Sequence, residues 1–435
     1  MNIWLVTIGE PVPVDEGAHD RLYRTGYFAH FLAEQRNNVT WWTSTFDHFR
    51  KKYIFPEEAE LQLNDHLKIR FLRGCRYKRN ISLARYRNHR QLGNRFRLQA
   101  QKEPLLPDII VAAFPTIELC YEAVKFGQEK NIPVVLDMRD MWPDIFLNFV
   151  PHPVRLLART WLRHSFRQAE EACRGATAII GITEEFVKWG VKRGHREITI
   201  LDREFPMGYF SEKPSESDLA KAEKAWQDQG IGVDYGLHRA IFIGTLGRQL
   251  DVETIISAAK IVSKTQARWQ FIICGYGDRT NKLKRQAKGV ANIIFPGWID
   301  KAAIYTLFRR SNVGLDPLPN RYDFLATINN KAIEYLSAKL PIISSPKKGV
   351  LAELIAKENC GLSYEYQDSQ GLAKILVELS SHEDSLKKMS DNAGRLFNEK
   401  FRAEITYGKM MEHLAEVLRS YKNNKSSLSN NGLSA

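Results

Sequence analysis

Apolar residues in this chain fall into short unbroken runs separated by longer stretches in which they recur every three or four positions. The first run covers residues 3–8 (Ile-Trp-Leu-Val-Thr-Ile), and an apolar run of this kind suits a parallel strand buried on both faces. Gly9-Glu10-Pro11-Val12-Pro13 ends it, because that sequence cannot continue as helix. Leu22, Phe28, Phe31 and Leu32 then share one helical face over 21–33, and 39–43 (Val-Thr-Trp-Trp-Thr) is the next strand. The same order predicts strands at 108–113, 133–137 and 178–182, with helices at 117–128 and 153–174. Strand and helix alternating in this way predict a doubly wound α/β domain.

Residues 211–236 are poor in large apolar side chains, so the connection between domains is placed there. A second α/β alternation follows, with strands at 240–243, 269–274, 292–295 and 313–315 and helices at 252–263, 281–288 and 301–310. The expected division is a first domain over 1–210, a second over 211–400, a helix over 401–420 returning to the first, and a disordered Ser/Asn-rich tail over 421–435. The length of 435 residues favours two cores. Two such domains are expected to face each other across a cleft lined by the carboxyl ends of their strands.

The stretch 329–343 organises the second domain. Ala332, Ile333, Leu336 and Leu340 predict an amphipathic helix, and Pro341 and a buried strand follow. Lys331 and Glu334 lie one turn apart. A lysine at a helix N-terminus suits a phosphate, and Glu334 can accept from two ribose hydroxyls; a solvated ion pair is the alternative. Gly244-Thr245-Leu246-Gly247-Arg248 lies between a strand and a helix, where the backbone can approach a diphosphate and Arg248 can chelate it. Gly275-Tyr276-Gly277 fits a tight turn beside a base or sugar, or an ordinary strand-end turn.

In the first domain, Asp137-Met138-Arg139-Asp140-Met141-Trp142-Pro143-Asp144 closes a buried strand with carboxylates, an arginine and a tryptophan. That mixture suits an acceptor sugar; a structural Arg–Asp pair is the alternative. Glu10, Asp15, Gly17, Arg21 and Arg24 in the first loop are candidates to meet sugar hydroxyls and leaving phosphates. His48 reads as a surface or supporting histidine. No Asp-x-Asp motif or His/Cys cluster suggests a metal, so no cofactor is expected.

Charge changes the picture at one place. The net charge is +13, and twelve Lys and Arg lie between Lys68 and Lys102 with no acid among them. Such a block favours a polyanionic surface such as anionic lipid, or forms a solvated helix face. Residues 146–166 interleave Leu156, Leu157 and Trp161 with Arg155, Arg159 and Arg163, which suits a membrane interface or a helix covering the sheet. Five scattered cysteines read as free thiols in a reducing compartment. The chain enters a strand at once, without a signal peptide, and no apolar run is long enough to span a bilayer. A cytoplasmic location, peripheral at the inner membrane face, is expected.

Seven motifs in order resemble the retaining GT-B-fold glycosyltransferases of family 4, nearest the bacterial branch that builds surface polysaccharides. They are Gly9-Glu10-Pro11 with Arg21 and Arg24; the segment 137–143; Pro206-Met207-Gly208-Tyr209-Phe210; the loop 244–248; Cys274-Gly275-Tyr276-Gly277; Phe295-Pro296-Gly297-Trp298-Ile299; and the segment from Asn330 to Leu336. The resemblance implies a nucleotide-sugar donor held by Gly17, Gly244, Gly247, Arg248, Gly275, Tyr276, Gly277, Ile299, Asn330, Lys331 and Glu334. Arg248 matches the family's diphosphate-binding arginine and Glu334 its ribose-binding glutamate. Glu10, Arg21, Arg24, Arg139, Asp140 and Trp142 are expected at the acceptor, a lipid-linked saccharide, with Arg248, Lys331 and Asp140 carrying the chemistry. Two positions depart from the pattern. Leu250 stands where many members carry a second diphosphate-binding lysine, a role that Lys331 or Arg24 could take. Ala326 stands where many carry a glutamate facing the transferred sugar. The competing readings are a sugar-nucleotide 2-epimerase of the same architecture and a nucleic-acid-binding protein using the basic block.

Overall fold

The computed structural model describes residues 1–14, 22–148, 150–232 and 236–431. The chain divides into two compact units, Met1–Pro206 with Thr406–Ala435, and Met207–Ile405.

The first unit is built on an eight-stranded sheet of β1 (Asn2–Val6), β2 (Asn38–Ser44), β3 (Ala59–Asn64), β4 (Leu67–Leu72), β5 (Ile109–Phe114), β6 (Val134–Met138), β7 (Ala178–Gly181) and β8 (Arg203–Glu204). Their order is β3-β4-β2-β1-β5-β6-β7-β8, parallel throughout except for the antiparallel pair β3 and β4. The apolar runs become strands because they are covered on both faces: β5 and β6 are buried at every position. Trp4 anchors the core, its ring 5.1 Å from Trp42 and stacked at 5.6 Å on Phe126. The helix Ala403–Asn431 belongs to this unit from Thr406 onward, with Tyr407 5.7 Å from Phe28 and Glu416 paired to Arg203 at 2.8 Å.

The second unit holds a parallel six-stranded sheet of β9 (His238–Ile243), β10 (Trp269–Cys274), β11 (Ile293–Gly297), β12 (Val313–Pro317), β13 (Ile342–Ser345) and β14 (Gly361–Ser363). Its order is β11-β10-β9-β12-β13-β14. Each unit is therefore a Rossmann-like α/β layer structure, as the alternation predicts.

Four features differ from expectation. Residues 211–236 are not a bare connection, because Leu219, Ala222 and Trp226 give the helix Glu216–Asp228 a buried stripe. Its Trp226 Nε1 donates to Thr306 Oγ1 at 2.9 Å, which docks that helix on the second unit. The expected helix over 153–174 breaks at Leu162 into Arg155–Trp161 and Arg163–Gly175. The hairpin of β3 and β4 went unread because its first strand buries no residue fully. Of the tail expected to be disordered, residues 421–431 are helical, and 432–435 lie outside the described residues.

Candidate functional site

In a doubly wound sheet the order in which strands are added reverses between two adjacent strands, and the loops on either side of that point leave a crevice at the carboxyl edge. In the second unit the reversal lies between β9 and β12. The loop after β9 is the glycine segment 244–248, and the chain leaving β12 leads to the helix Asn330–Ser337. The two stretches singled out in the sequence are thus brought to one sheet edge.

The glycine loops interlock there. The Leu246 amide donates to the Tyr276 carbonyl at 3.0 Å, and the Gly275 amide to the Gly297 carbonyl at 2.7 Å. Gly275 has φ +124°, and a Cβ on it would stand 1.9 Å from the Gly244 carbonyl oxygen. A Cβ on Gly277 would stand 2.3 Å from the Leu246 carbonyl oxygen. Only glycine permits this approach of backbone to backbone. Arg248 lies at the outer end of the loop, its side chain 87% exposed and its Nε 3.8 Å from Asp278.

The helix Asn330–Ser337 is started by Asn329, whose Oδ1 accepts from the Ala332 amide at 2.9 Å. The Asn329 Nδ2 donates at 2.6 Å to Asp316, which is fully buried at the end of β12. Asp316 also stands 3.9 Å from the Lys331 ammonium. Burial raises the Asp316 carboxyl above its ordinary range, opposed by Lys331 and the Asn329 bond. The Lys331 stem lies against Gly244, its Cδ 3.5 Å from where a Cβ would be. Lys331 therefore crosses the glycine loop, with a helix N-terminus behind it, and Glu334 is buried one turn further on. Asp316 is a residue of this candidate site that the sequence reading missed; its signal is an acid inside the apolar strand Val313–Pro317. Ile299 is half-buried against the core beyond β11. Leu250 and Ala326, at the two departing positions, are both buried apolar residues.

In the first unit the reversal lies between β1 and β5. Arg24 is 1% exposed. Its Nε donates to Asp137 at 2.9 Å and its Nη1 to the Pro206 carbonyl at 2.7 Å. Arg139 binds Asp137 at 2.7 Å and pairs with Glu10, and Glu10 accepts from the Thr25 amide at 3.0 Å and hydroxyl at 2.8 Å. Burial alone would raise the Asp137 carboxyl, but Arg139 and Arg24 together hold it below its ordinary range. Glu10, Arg24 and Arg139 are thus tied into a buried network rather than extended toward a ligand. Asp140 accepts from the Met141 amide at 2.8 Å. The Trp142 ring is half-buried, 4.6 Å from Phe146 and 6.2 Å from His89, with the Arg85 guanidinium 4.7 Å from its centroid. It positions Arg85 rather than standing bare for a sugar. Asp15, Gly17 and Arg21 lie outside the described residues.

The basic block is partly neutralised. Glu60 and Glu103 pair with Lys68 and Arg70, Glu58 pairs with Arg95, and Glu122 and Glu129 pair with Arg97. Among the described residues no three His, Cys, Asp or Glu side chains gather as metal ligands.

No curated protein matches the chain in sequence. Several solved structures match its fold. Sucrose-phosphate synthase from Thermosynechococcus elongatus aligns over 96% of this chain and 99% of its own at TM-score 0.70 and 15% identity. HepE from Anabaena, solved with UDP and glucose, aligns over 96% and 100% at 0.64 and 16%. WaaG, a glycosyltransferase involved in lipopolysaccharide biosynthesis, aligns over 94% and 98% at 0.60 and 13%. At these identities the likeness is one of fold. Residues 238–382, which hold β9 to β14 and the interlocked loops, match the family of glycosyl transferases group 1, within a chain whose fold is that of the GT-B glycosyltransferases.

Proposed function

We propose that this chain is a retaining, family 4 glycosyltransferase. It moves a sugar from a nucleoside-diphosphate donor to a lipid-linked saccharide in the assembly of a bacterial surface polysaccharide. The observation that carries the reading is the meeting of the Gly244 loop, the Gly275–Gly277 turn and the Lys331 helix start at the switch point of the second sheet. Backbone amides, Lys331 and the exposed Arg248 face the diphosphate, and Glu334 takes the ribose hydroxyls. The match of residues 238–382 to glycosyl transferases group 1 supports this. The complexes of HepE with UDP and with UDP-glucose make a uridine diphosphate sugar the first donor to test.

In the transfer, water is excluded and the acceptor hydroxyl lies beside the anomeric carbon on the face the diphosphate leaves. The glycosidic C–O bond to the diphosphate breaks as the acceptor oxygen bonds to that carbon. The hydroxyl proton passes to the departing diphosphate oxygen, with Asp140 orienting the acceptor. Arg248 and Lys331 stabilise the charge released, without a metal held by the chain. The protein works at the inner membrane face, where the Leu156, Leu157 and Trp161 surface meets lipid.

Thermal shifts with a panel of nucleoside diphosphates test the donor site. One nucleotide should raise Tm, and Arg248→Ala should lower transfer from its sugar by about 100- to 1,000-fold. Near-normal turnover in that variant would remove Arg248 from the mechanism, and no shift with any nucleotide would end the reading. Proton NMR of the product reports the anomeric configuration, which should match the donor's.

A further inference from the structure

A second charged constellation lies at the carboxyl edge of the first sheet, apart from the Glu10–Arg24–Asp137–Arg139 network. It is assembled from chain that leaves parallel strands at that edge: Lys51 and His48 after β2, Tyr77 and Asn80 after β4, with Arg85 in the first turn of the helix Leu83–Ala100. Tyr77 is its centre. The Lys51 ammonium lies 4.8 Å and the Arg85 guanidinium 5.9 Å from the centroid of that one ring. Both cations also reach one residue, for Lys51 Nζ donates to Asn80 Oδ1 at 2.6 Å and Arg85 Nη1 to the Asn80 carbonyl at 2.9 Å. The Tyr77 hydroxyl is hydrogen-bonded to His48 Nδ1 at 2.6 Å. Trp142 holds the guanidinium from one side at 4.7 Å, and His89 Nε2 accepts from Arg85 Nε at 3.4 Å.

Two like charges are thus held together by aromatic rings and neutral oxygens. Among the described residues neither Lys51 nor Arg85 has a carboxylate within ion-pair distance. Asp47, Asp140 and Glu118 act on them only from further off. The arrangement carries an electrostatic cost in isolation, since like charges held close destabilise each other. A bound anion reverses the sign of that cost. Burial, Arg85, Lys51 and His89 push His48 down to about 4, so it is neutral near pH 7 and adds a hydrogen bond without further positive charge. The basic residues on the strands behave differently, for Lys68 and Arg70 are each matched by Glu60 and Glu103. Lys51 and Arg85 thus leave unmatched charge at the carboxyl edge of the sheet, the edge at which ligands of such a sheet bind.

We propose that Lys51 and Arg85, braced on Tyr77, Asn80 and Trp142, form a subsite for an oxyanion carried by the acceptor, a phosphate or a carboxylate on or next to its sugar. The inference rests on the glycosyl-transfer reading and narrows its acceptor to an anionic saccharide. Arg85 offers a planar pair of donors and Lys51 a point charge, a combination that fits a phosphoryl or carboxyl group.

The full chain is titrated calorimetrically with glucose 1-phosphate, glucuronic acid and glucose, in saturating UDP so that the second unit's anion site is occupied. At least one anionic sugar should bind and glucose should not. Arg85→Gln and Lys51→Gln should each weaken that binding by about ten- to a hundred-fold, with Arg85→Lys intermediate. UDP affinity should stay as in the parent and Tm should not fall, since each Gln variant removes one of two like charges, which separates loss of the subsite from loss of fold. If UDP binds but neither anionic sugar does, or if the substitutions leave anionic-sugar binding intact, the subsite is wrong while the glycosyl-transfer reading stands. If UDP itself fails to bind, that reading falls first. Phosphatidylglycerol vesicles form the last arm. Arg85-dependent binding to vesicles without Arg85-dependent binding of either sugar would assign the site to lipid headgroups and overturn the acceptor assignment.

Discussion

A buried carboxylate is tolerable only when its surroundings supply what water would have supplied, and Asp137 shows how completely this is done. It is fully buried and shared between Arg24 and Arg139. Its folded pKa lies below the ordinary 3.8, with Glu10 and Tyr407 the other ionisable groups in the same network. A depressed carboxylate contributes stability that is fully present above its unfolded value and is lost as pH falls through the folded one. Asp137→Asn should therefore cost about 3–5 kcal/mol at neutral pH, because two buried guanidinium groups lose a shared partner. It should also flatten the decline of stability below about pH 4, by the share of one proton. Urea unfolding at pH 7 and pH 3 checks both; a variant with an unchanged acid slope would show that Asp137 titrates normally. At this scale residue types were legible and partners were not. Arg24 and Arg139 stood out in the sequence as chemistry, yet the chain of contacts that turns them into scaffold runs from residue 10 to residue 206, beyond the reach of local pattern.

Among elements, the helix Asn330–Ser337 was read correctly because two signals coincide, an apolar stripe and a proline stop. Its start is set by Asn329, and the same side chain ties it to Asp316 in β12. Asn329→Ala removes the cap, worth about 1 kcal/mol, and frees the turn that carries Lys331. Tm should fall slightly, while the nucleotide-induced thermal shift falls by more than that loss accounts for. A fall in Tm with a full nucleotide shift would make Asn329 purely a cap. Gly275→Ala is the harsher change, since the backbone angle and the Gly244 carbonyl both exclude a Cβ. Strands buried on both faces were legible as apolar runs. The hairpin of β3 and β4 was not, because one-sided burial with charged partners leaves only an alternation. The helix Glu216–Asp228 was hidden for a related reason: three apolar residues suffice to dock it, and its composition otherwise resembles a linker.

For the molecule as a whole, the net charge of +13 invites an electrostatic account of membrane binding, and magnitudes argue for a different emphasis. Pairing with Glu58, Glu60, Glu103, Glu122 and Glu129 removes Lys68, Arg70, Arg95 and Arg97 from the cations free to meet lipid. Each remaining Lys or Arg near an anionic surface contributes about 1 kcal/mol, and salt screens it. Leu156, Leu157 and Trp161 are 76%, 71% and 69% exposed on one short helix, with Arg155 and Arg159 among them. Burying each of these side chains contributes about 1.5–3 kcal/mol, and salt leaves that term in place. Among the described residues no helix is long and apolar enough to cross a membrane, so attachment through this surface is the arrangement to test. Sedimentation with vesicles containing phosphatidylglycerol should carry the chain into the pellet at low salt, with a partial release at 0.5 M. Leu157→Ser with Trp161→Ser should abolish sedimentation at both salt concentrations while leaving the nucleotide thermal shift intact, because that helix lies in the first unit. Full release by salt from the unaltered chain would return the interaction to the basic block. A double variant that still sediments would remove the apolar surface from the account.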